Sequence, residues 1–378
     1  MSSRVNEAAI LAGILWCVGG IELSAPQLDR VALLLAGLFL FVLQLRGREQ
    51  GPAIGAYAIL VGTSERLSRF PLLDGSDVIR ATQEAIVTLL GGADPYTHAL
   101  TSTIPPGSPL VYPPGELFFY LPAHLLTGDI TRVDTITGIL TIVAIVMTGF
   151  RAGWDRVVLP AMLFATWGVG AFRGVDGSND VSGAFLVVLA CALLVFADRE
   201  TRAGRIAFVL SAVAFGWAVA FKQFAVVLLP LLLRHLAVSG RDWRRYAAIS
   251  LGMVALFVVP FFLWAPGPFV EQQLQTLTFH QEVWGANLLA LASQYVDVTG
   301  VLPLFFVLEL VLTLVAFAYA LRSRLGTIGI ALLAGCGVIL IALLLAKWTT
   351  QPYYIYVGGI AAMGLALIDR DTVVVAKT

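Results

Sequence analysis

Long apolar runs, separated by short polar segments, dominate this sequence and leave few folds open to it. Twelve of them cover residues 8–23, 31–45, 52–64, 133–150, 157–172, 181–197, 206–221, 223–234, 247–264, 301–321, 327–346 and 353–368. A helix needs roughly 20 residues to cross the hydrocarbon core of a bilayer, and shorter helices occur inside a bundle. The pattern therefore predicts an all-α polytopic membrane protein with about 11 to 13 transmembrane helices.

The composition excludes most other classes of protein. Hydrophobic residues make up 58% of the chain and charged residues 13%, about half of the roughly 25% that is usual in soluble domains. The 24 basic residues are matched by 24 acidic ones, which argues against a nucleic-acid partner. The three cysteines (Cys17, Cys191 and Cys336) lie inside apolar runs without metal-binding spacing, and are interpreted as small apolar side chains.

Basic residues collect on one side of the predicted membrane. That side holds 16 of the 24 Lys and Arg residues and is expected to be cytoplasmic. It comprises both termini and loops 46–51, 151–156, 198–205, 234–246 and 322–326. The sequence thus predicts a multi-pass protein of the plasma membrane whose two long loops, 65–112 and 265–300, lie outside. The run 115–126 is too short to span comfortably, so it either dips into the membrane and returns or shifts the topology there.

No boundary between separate domains is visible, so we expect a single integral membrane domain over residues 1–378. Its predicted parts are N-terminal spans (1–64), a first outer loop (65–112), central spans (113–264), a second outer loop (265–300) and C-terminal spans (301–378). Long loops on an otherwise compact bundle often carry function.

The first outer loop contains an amphipathic pattern. From Val78 onward its apolar residues recur at helical spacing, which predicts a helix lying on the outer membrane surface. Asp77 is expected at the N-cap of this helix, and Gly91-Gly92 is expected to end it. Asp94-Pro95 then begins a turn, which Asp94 is expected to cap.

Three segments together carry a family resemblance. The first runs from Asp77 to Gly91-Gly92-Ala93-Asp94-Pro95-Tyr96 and on to Tyr112-Pro113-Pro114. The second is Phe172-Arg173-Gly174-Val175-Asp176-Gly177-Ser178-Asn179-Asp180, and the third is Ala220-Phe221-Lys222-Gln223. Their order resembles that of GT-C glycosyltransferases, most closely the glycosyltransferase family 87 type of polyprenyl-phosphate-mannose-dependent mannosyltransferases. Three apolar runs precede the first outer loop here, where that family usually has one.

The resemblance implies an activity. A mannose-like sugar would move from a polyprenyl-phosphate donor to a glycan, glycolipid or protein acceptor on the extracytoplasmic face. A carboxylate must take the proton of the attacking hydroxyl; by position this is Asp77, with Asp74 as the alternative. No cofactor or metal is implied, although Asp77, Asp176 and Asp180 are carboxylates of a kind that suits Mg²⁺ or Mn²⁺. Membrane lipid is expected as a partner, no nucleic acid is expected, and the sequence does not identify a protein partner.

A set of polar residues is predicted to bind substrate. Its members are Lys222, Arg173, Asp176, Asp180, Tyr96, Tyr112, His280, Glu282, Gln351 and Tyr353. Plainer roles remain open for several of them: Lys222 could extend its ammonium to the membrane interface, and Asn179 or Asp180 could cap a helix. The tyrosines could be interface anchors, and His280 could be a solvated loop residue. Trp284 is expected either to stack on a sugar or to anchor at the interface.

Two other functions remain open. The chain could be a catalytically inactive GT-C-like subunit of a larger assembly, or a lipid or sugar transporter. Transporters place polar residues near the middle of the membrane. Here only Glu309 is clearly within a span, where it is expected to face the bundle interior, so an enzyme of the outer face is favoured.

Overall fold

The computed structural model describes residues 2–19, 28–69, 76–103, 106–278 and 283–368. In the described residues the first nine helices are α1 Ser2–Gly19, α2 Leu28–Leu45, α3 Gly51–Arg69, α4 Asp77–Leu90, α5 Gly115–Thr127, α6 Val133–Met147, α7 Gly149–Ala152, α8 Trp154–Thr166 and α9 Gly168–Arg173. The next nine are α10 Asp180–Phe196, α11 Arg202–Phe221, α12 Ala225–Val238, α13 Trp243–Trp264, α14 Pro266–Thr278, α15 Leu288–Ala292, α16 Leu302–Arg322, α17 Ile328–Leu345 and α18 Gln351–Ala366. The strands are β1 Trp284–Gly285 and β2 Trp348–Thr349.

The all-α, membrane-spanning class predicted from the sequence is confirmed. Among the described residues, six segments are long and apolar enough to cross a bilayer, and two shorter apolar helices, α10 and α12, accompany them. The six are Leu28–Leu45, Val133–Ala152, Arg202–Phe221, Trp243–Trp264, Thr299–Arg322 and Ile328–Leu345. The total of 11 to 13 spans stays a prediction. Helix α5 has 13 residues and is about 20 Å long, which is short for a crossing.

Helix α10 lies at the centre of the bundle. Most of its residues are buried, as expected for a helix that is apolar on every face, and it packs against α6, α11 and α18. Helix α16 is the opposite case, because its one buried residue is Ala320. Glu309, on α16, is half-buried. It shares one face of α16 with the half-buried Thr313 and Ala316 and with buried Ala320, so it lies on the side of α16 that faces the bundle, as predicted.

The chain breaks at Lys222, between α11 and α12. Lys222 has an extended backbone, with φ −146° and ψ 131°, and α12 begins three residues later. The two apolar runs on either side of Lys222 are thus separate helices, as the sequence predicts. This places Lys222 at the same end of the bundle as Asp180, the first residue of α10. We call this the site end, and the opposite end, which carries Arg199 and Arg241, the basic end.

The amphipathic helix of the first outer loop is α4. Its N-cap is Ser76, whose hydroxyl accepts a hydrogen bond from the backbone N–H of Val78. The prediction that Asp77 is the cap is wrong by one residue, because Asp77 begins the helix. Gly91 ends the helix, as predicted. The Asp94 carboxylate accepts the Tyr96 backbone N–H at 2.9 Å and so caps the following turn, also as predicted.

The second outer loop is tied to the segment before α18. Strand β1 pairs in parallel with β2, and the Trp284 ring packs on the Trp348 ring, with 4.7 Å between centroids. Gly285 has φ 106°, and a Cβ there would lie 1.9 Å from the Thr349 carbonyl oxygen, so this pairing requires glycine. In the structure the ring partner of Trp284 is thus another tryptophan of the chain.

Candidate functional site

In the part of the chain that the structure describes, one hydrogen bond between backbone groups ties the start of α4 to the core. The Ser76 N–H donates to the Asp176 carbonyl at 2.5 Å, so the N-terminus of α4 sits on the turn between α9 and α10. Gly177, in that turn, has φ 80°, and a Cβ there would lie 2.8 Å from Ile79. The turn therefore needs glycine to accept α4 this closely. As a result, half-buried Asp77 lies beside the turn that carries Asp176 and Asp180.

Lys222 lies at the centre of the site. Its side chain is 2% exposed, its Nζ is 2.5 Å from Asp180 Oδ1, and it donates to Asn179 Oδ1 at 2.6 Å. Three aromatic rings surround the ammonium at 5.2–5.8 Å from their centroids, those of Tyr112, Phe224 and Tyr353. A buried ammonium is costly unless it is paired, and here each acceptor comes from the start of α10. The alternative in which Lys222 extends to the membrane interface is wrong.

Asn179 connects Lys222 to two further acidic residues. Its backbone adopts φ 63°, a conformation that asparagine tolerates better than most residues. Its Nδ2 donates to Glu116 Oε1 at 2.8 Å, and its backbone N–H donates to Asp134 Oδ2 at 3.1 Å. Asn179 occupies the N-cap position of α10, but its side chain makes no capping hydrogen bond. The capping interpretation of its side chain is therefore wrong.

Glu116 and Asp134 are buried and were missed by reasoning from the sequence. Thr82 of α4 donates to Glu116 Oε1 at 2.7 Å, while Glu116 Oε2 has no hydrogen-bond partner in the described part of the chain. The Tyr120 hydroxyl donates to Asp134 Oδ1 at 2.5 Å. The available signal was an acidic residue at the start of each of two apolar segments, since such residues are expensive in a membrane.

A close approach of two helices allows this network to form. Gly115 begins α5 beside the end of α11, and a Cβ there would lie 2.5 Å from the Ala220 carbonyl oxygen. The Gly115 carbonyl in turn accepts the Trp217 indole N–H at 2.8 Å. Because Gly115 has no side chain, the neighbouring Glu116 can reach Asn179, which also holds Lys222.

Asp176 and Arg173 form the more exposed edge of the site. Burial raises the pKa of Asp176 to about 6, opposed by hydrogen bonds from Ser178 and by the charge of Arg173. Arg173 Nη1 lies 3.6 Å from Asp176 Oδ2, and the Arg173 side chain is 41% exposed. Its Nε donates to Gln351 Oε1 at 3.1 Å. The site therefore presents one accessible guanidinium next to a buried ammonium.

The charges that act on the Tyr112 phenol show which acidic groups lie close together in the site. Burial raises the pKa of the Tyr112 phenol well above its usual value, and Tyr353, Glu116, Asp180 and Asp77 raise it further. Asp77 and Asp180 are thus close enough to act on the same phenol. The structure brings together eight of the predicted site residues: Asp77, Tyr112, Arg173, Asp176, Asp180, Lys222, Gln351 and Tyr353.

Other predicted site residues lie elsewhere. Tyr96 is fully buried; its hydroxyl donates to the Tyr112 carbonyl at 2.7 Å, so it braces the loop and is not available to a substrate. Asp74, His280 and Glu282 fall outside the described residues. In the part of the chain that is described, no group of three or more His, Cys, Asp or Glu residues is arranged to hold a metal. Asp176 and Asp180 are paired with Arg173 and Lys222 instead.

Comparison with solved structures identifies the fold. The structure is similar to that of ArnT from Cupriavidus metallidurans in the apo state, with a TM-score of 0.52 and 15% sequence identity over 83% of this chain and 58% of that one. The chain has an ArnT-like GT-C fold. The same protein bound to undecaprenyl phosphate matches with a TM-score of 0.49, 16% identity and the same coverage. The chain thus spans 58% of the length of the protein it matches. No protein-family model and no curated protein matches the sequence.

Proposed function

We propose that the chain is a membrane glycosyltransferase that moves a sugar from a polyprenyl-phosphate donor to an acceptor hydroxyl. The observation that carries this proposal is the contact between Ser76 and Asp176. It holds a half-buried carboxylate, Asp77, beside a turn that also presents the accessible guanidinium of Arg173. Transfer of a sugar from a phosphate donor requires a base for the attacking hydroxyl and a cation for the departing phosphate. This site has a candidate for each. The segment resemblance to GT-C enzymes and the GT-C fold support the same activity.

Asp77 is proposed as the general base. As the acceptor oxygen attacks the anomeric carbon, its proton passes to the Asp77 carboxylate and the bond from that carbon to the phosphate oxygen breaks. The electron pair of that bond leaves with the polyprenyl phosphate. Asp77 suits this role because it begins a helix whose N-terminus is fixed to the core, which holds its carboxylate in one place.

Arg173 is proposed as the contact for the donor phosphate. Its guanidinium is accessible and can make two parallel hydrogen bonds to phosphate oxygens. A direct contact from Lys222 would require exposure of an ammonium that is 2% exposed and bound to Asp180 and Asn179. We therefore assign Lys222 the role of fixing the start of α10, and with it the turn that supports Asp77.

The sugar, the location and the orientation are also proposals. A mannose-like donor follows from the resemblance to family 87 enzymes. The site end is proposed to face outside the plasma membrane, because the opposite end carries most of the basic loops. The acceptor is proposed to be a glycan, glycolipid or protein hydroxyl presented on that face, and no metal is proposed to take part.

Purified protein in lipid nanodiscs provides the test of function. It would be incubated with polyprenyl phosphates carrying mannose, glucose or arabinose, and release of free polyprenyl phosphate would be followed by mass spectrometry with and without candidate acceptor glycans. We expect acceptor-dependent release, fastest with the mannose donor. Release with another sugar alone would correct the donor, whereas no release from any donor under any condition would contradict the enzymatic proposal.

A further inference from the structure

The basic end of the bundle carries a cavity of about 460 Å³. It lies between the loop that joins α10 to α11 and the loop that joins α12 to α13. Its charged lining consists of Arg199, Arg205, Arg241, Arg245, Asp198 and Asp242. This cavity is far from the candidate site, at the other ends of α10 and α11, and its interpretation does not depend on the proposed function.

Hydrogen bonds to backbone carbonyls fix three of the guanidiniums. Arg199 Nη2 donates to the Gly240 carbonyl at 2.6 Å, and Arg241 Nη1 donates to the Leu194 carbonyl at 3.0 Å. These two bonds cross between the loops in opposite directions. Arg205 Nη1 donates to the Arg199 and Glu200 carbonyls at 3.2 and 3.3 Å. The guanidiniums are therefore preorganised, and their partners are neutral groups that leave the positive charge uncompensated.

The two carboxylates of the cavity are engaged with the backbone. Asp198 Oδ1 accepts the Glu200 N–H at 2.7 Å, and Asp242 Oδ1 accepts the Arg245 N–H at 3.1 Å. Within the described residues, none of the four arginines is among the ion pairs closer than 4.0 Å. Burial and then the charge of Arg199 lower the pKa of Arg241, as expected where like charges are gathered. The cavity holds a net excess of positive charge.

Its position supplies two further features. Helices α11 and α13 both begin at the cavity, so the partial positive charges of their N-termini point toward it. Phe208 forms an apolar wall of the cavity, and the exposed Trp243 follows Asp242 in the chain as the first residue of α13. An indole at the end of an apolar helix is typical of the membrane interface. The cavity therefore lies at the depth where lipid headgroups are found.

We propose that this cavity binds a phosphate group, as a monoester or a diester. Guanidinium groups pair with phosphate oxygens through two parallel hydrogen bonds, and basic pockets between membrane helices accept anionic headgroups. An anionic lipid of the adjoining leaflet and a free phosphate compound present the same chemistry. The proposed site binds the phosphate group in either case, and the experiment below distinguishes the lipid from the free compound.

A double variant, Arg205→Gln with Arg245→Gln, removes two exposed guanidiniums from the cavity. Arg322→Gln with Arg324→Gln is the matched control, because both residues are exposed and lie at the same end of the bundle, where α16 ends. The segment after α16 is held at this end of the bundle by a hydrogen bond between His235 Nδ1 of α12 and the Leu325 carbonyl, 2.9 Å apart. The control removes equal charge from the same membrane face without touching the cavity. Arg205→Lys with Arg245→Lys retains the charge.

The measurement is the shift in unfolding midpoint of the full chain on adding ligand, so each variant is its own reference. One arm compares nanodiscs of phosphatidylcholine with nanodiscs that also contain phosphatidylglycerol. The other adds inorganic phosphate or pyrophosphate at constant ionic strength. We expect apparent affinity to fall roughly tenfold in the double Gln variant, to stay unchanged in the control, and to be partly retained in the Lys variant.

The two arms separate the sources. A selective loss in the lipid arm assigns a lipid headgroup, and a selective loss in the phosphate arm assigns a free phosphate compound. Equal shifts in wild type, control and cavity variant would mean that general surface charge is responsible and would overturn the proposal. Absence of any shift in the wild-type protein in both arms would overturn it as well.

Discussion

The Lys222 ammonium lies 2.5 Å from the Asp180 carboxylate, with the two side chains 2% and 1% exposed. Removing one partner of such a pair leaves the other charge buried, which destabilises proteins by about 3–5 kcal/mol. We therefore expect Lys222→Met to lower the free energy of unfolding by about 3 kcal/mol or more. Heating in detergent followed by size-exclusion chromatography measures the loss.

The double variant Lys222→Met with Asp180→Asn is the control for that prediction. It removes both charges, so it is expected to be more stable than Lys222→Met alone. If Lys222→Met has the stability of the wild type, the buried pair does not exist. Wild-type stability is also what a lysine extending freely to the membrane interface would give, because methionine suits that position.

Arg173 is expected to bind the donor. Arg173→Gln removes the accessible charge, and a hydrogen bond to a charged group contributes about 1.5–3 kcal/mol. The apparent KM for the polyprenyl-phosphate donor should rise about tenfold or more. The donor KM of Arg173→Lys should lie between those of the wild type and Arg173→Gln. Arg80→Gln, an exposed residue of α4, is the matched control. An unchanged donor KM in Arg173→Gln would remove Arg173 from the phosphate site.

Asp176 is expected to make stability depend on pH. Its pKa is raised by burial from 3.8 to about 6, so the folded protein binds this proton more tightly than the unfolded chain. The resulting stabilisation is complete below about pH 4 and is lost as the pH rises through 6. Asp176→Asn keeps an acceptor for the Ser178 N–H but cannot ionise. Its unfolding midpoint should fall less than that of the wild type between pH 5 and pH 7.5.

Asp297→Asn serves as the control for the pH experiment. The pKa of Asp297 is lowered by hydrogen bonds from Thr299, so its contribution has the opposite sign and grows as the pH rises. Removal of the Asp297 carboxylate should therefore leave the fall of the unfolding midpoint above pH 5 as steep as in the wild type. Parallel pH profiles for the wild type and Asp176→Asn would contradict the assignment of this titration to Asp176.

The orientation of the bundle can be measured by labelling. The native Cys17, Cys191 and Cys336 are buried, so a new surface cysteine should dominate the reaction. Tyr295→Cys lies in the second outer loop at a position that is 80% exposed, and Ser239→Cys lies at the basic end. On intact cells an impermeant thiol reagent should label Cys at 295 but not at 239. The reverse pattern would place the site end in the cytoplasm.

Local sequence patterns predicted much of the fold. The helical spacing from Val78 and the Gly91-Gly92 pair gave α4 with its end at the right residue, and the charge of Lys222 marked the break between α11 and α12. The N-cap was missed by one residue because Ser76 and Asp77 are both good caps. The inward side of α16 at Glu309 was predicted from the cost of a carboxylate in the membrane, although most other residues of that helix are exposed.

The polar network could not be predicted in the same way. Glu116 reaches Asn179 only because Gly115 lies against the Ala220 carbonyl, a contact between residues 105 positions apart. Asn179 bonds to both Glu116 and Lys222 because its backbone is left-handed, and the sequence pattern there equally suits a helix cap. Burial of Lys222 likewise depends on three aromatic rings brought together from separate segments.

The central claim is that Asp77 is the base of a sugar-transfer reaction, and the rate of transfer in Asp77→Asn tests it most directly. Asparagine has nearly the same shape but cannot accept the proton at neutral pH. Loss of a positioned base typically costs 10²–10⁴-fold in rate. We predict a loss of that size in acceptor-dependent release of polyprenyl phosphate, with an unchanged unfolding midpoint and with full activity in the exposed control Asp297→Asn. Wild-type rates in Asp77→Asn would contradict the account.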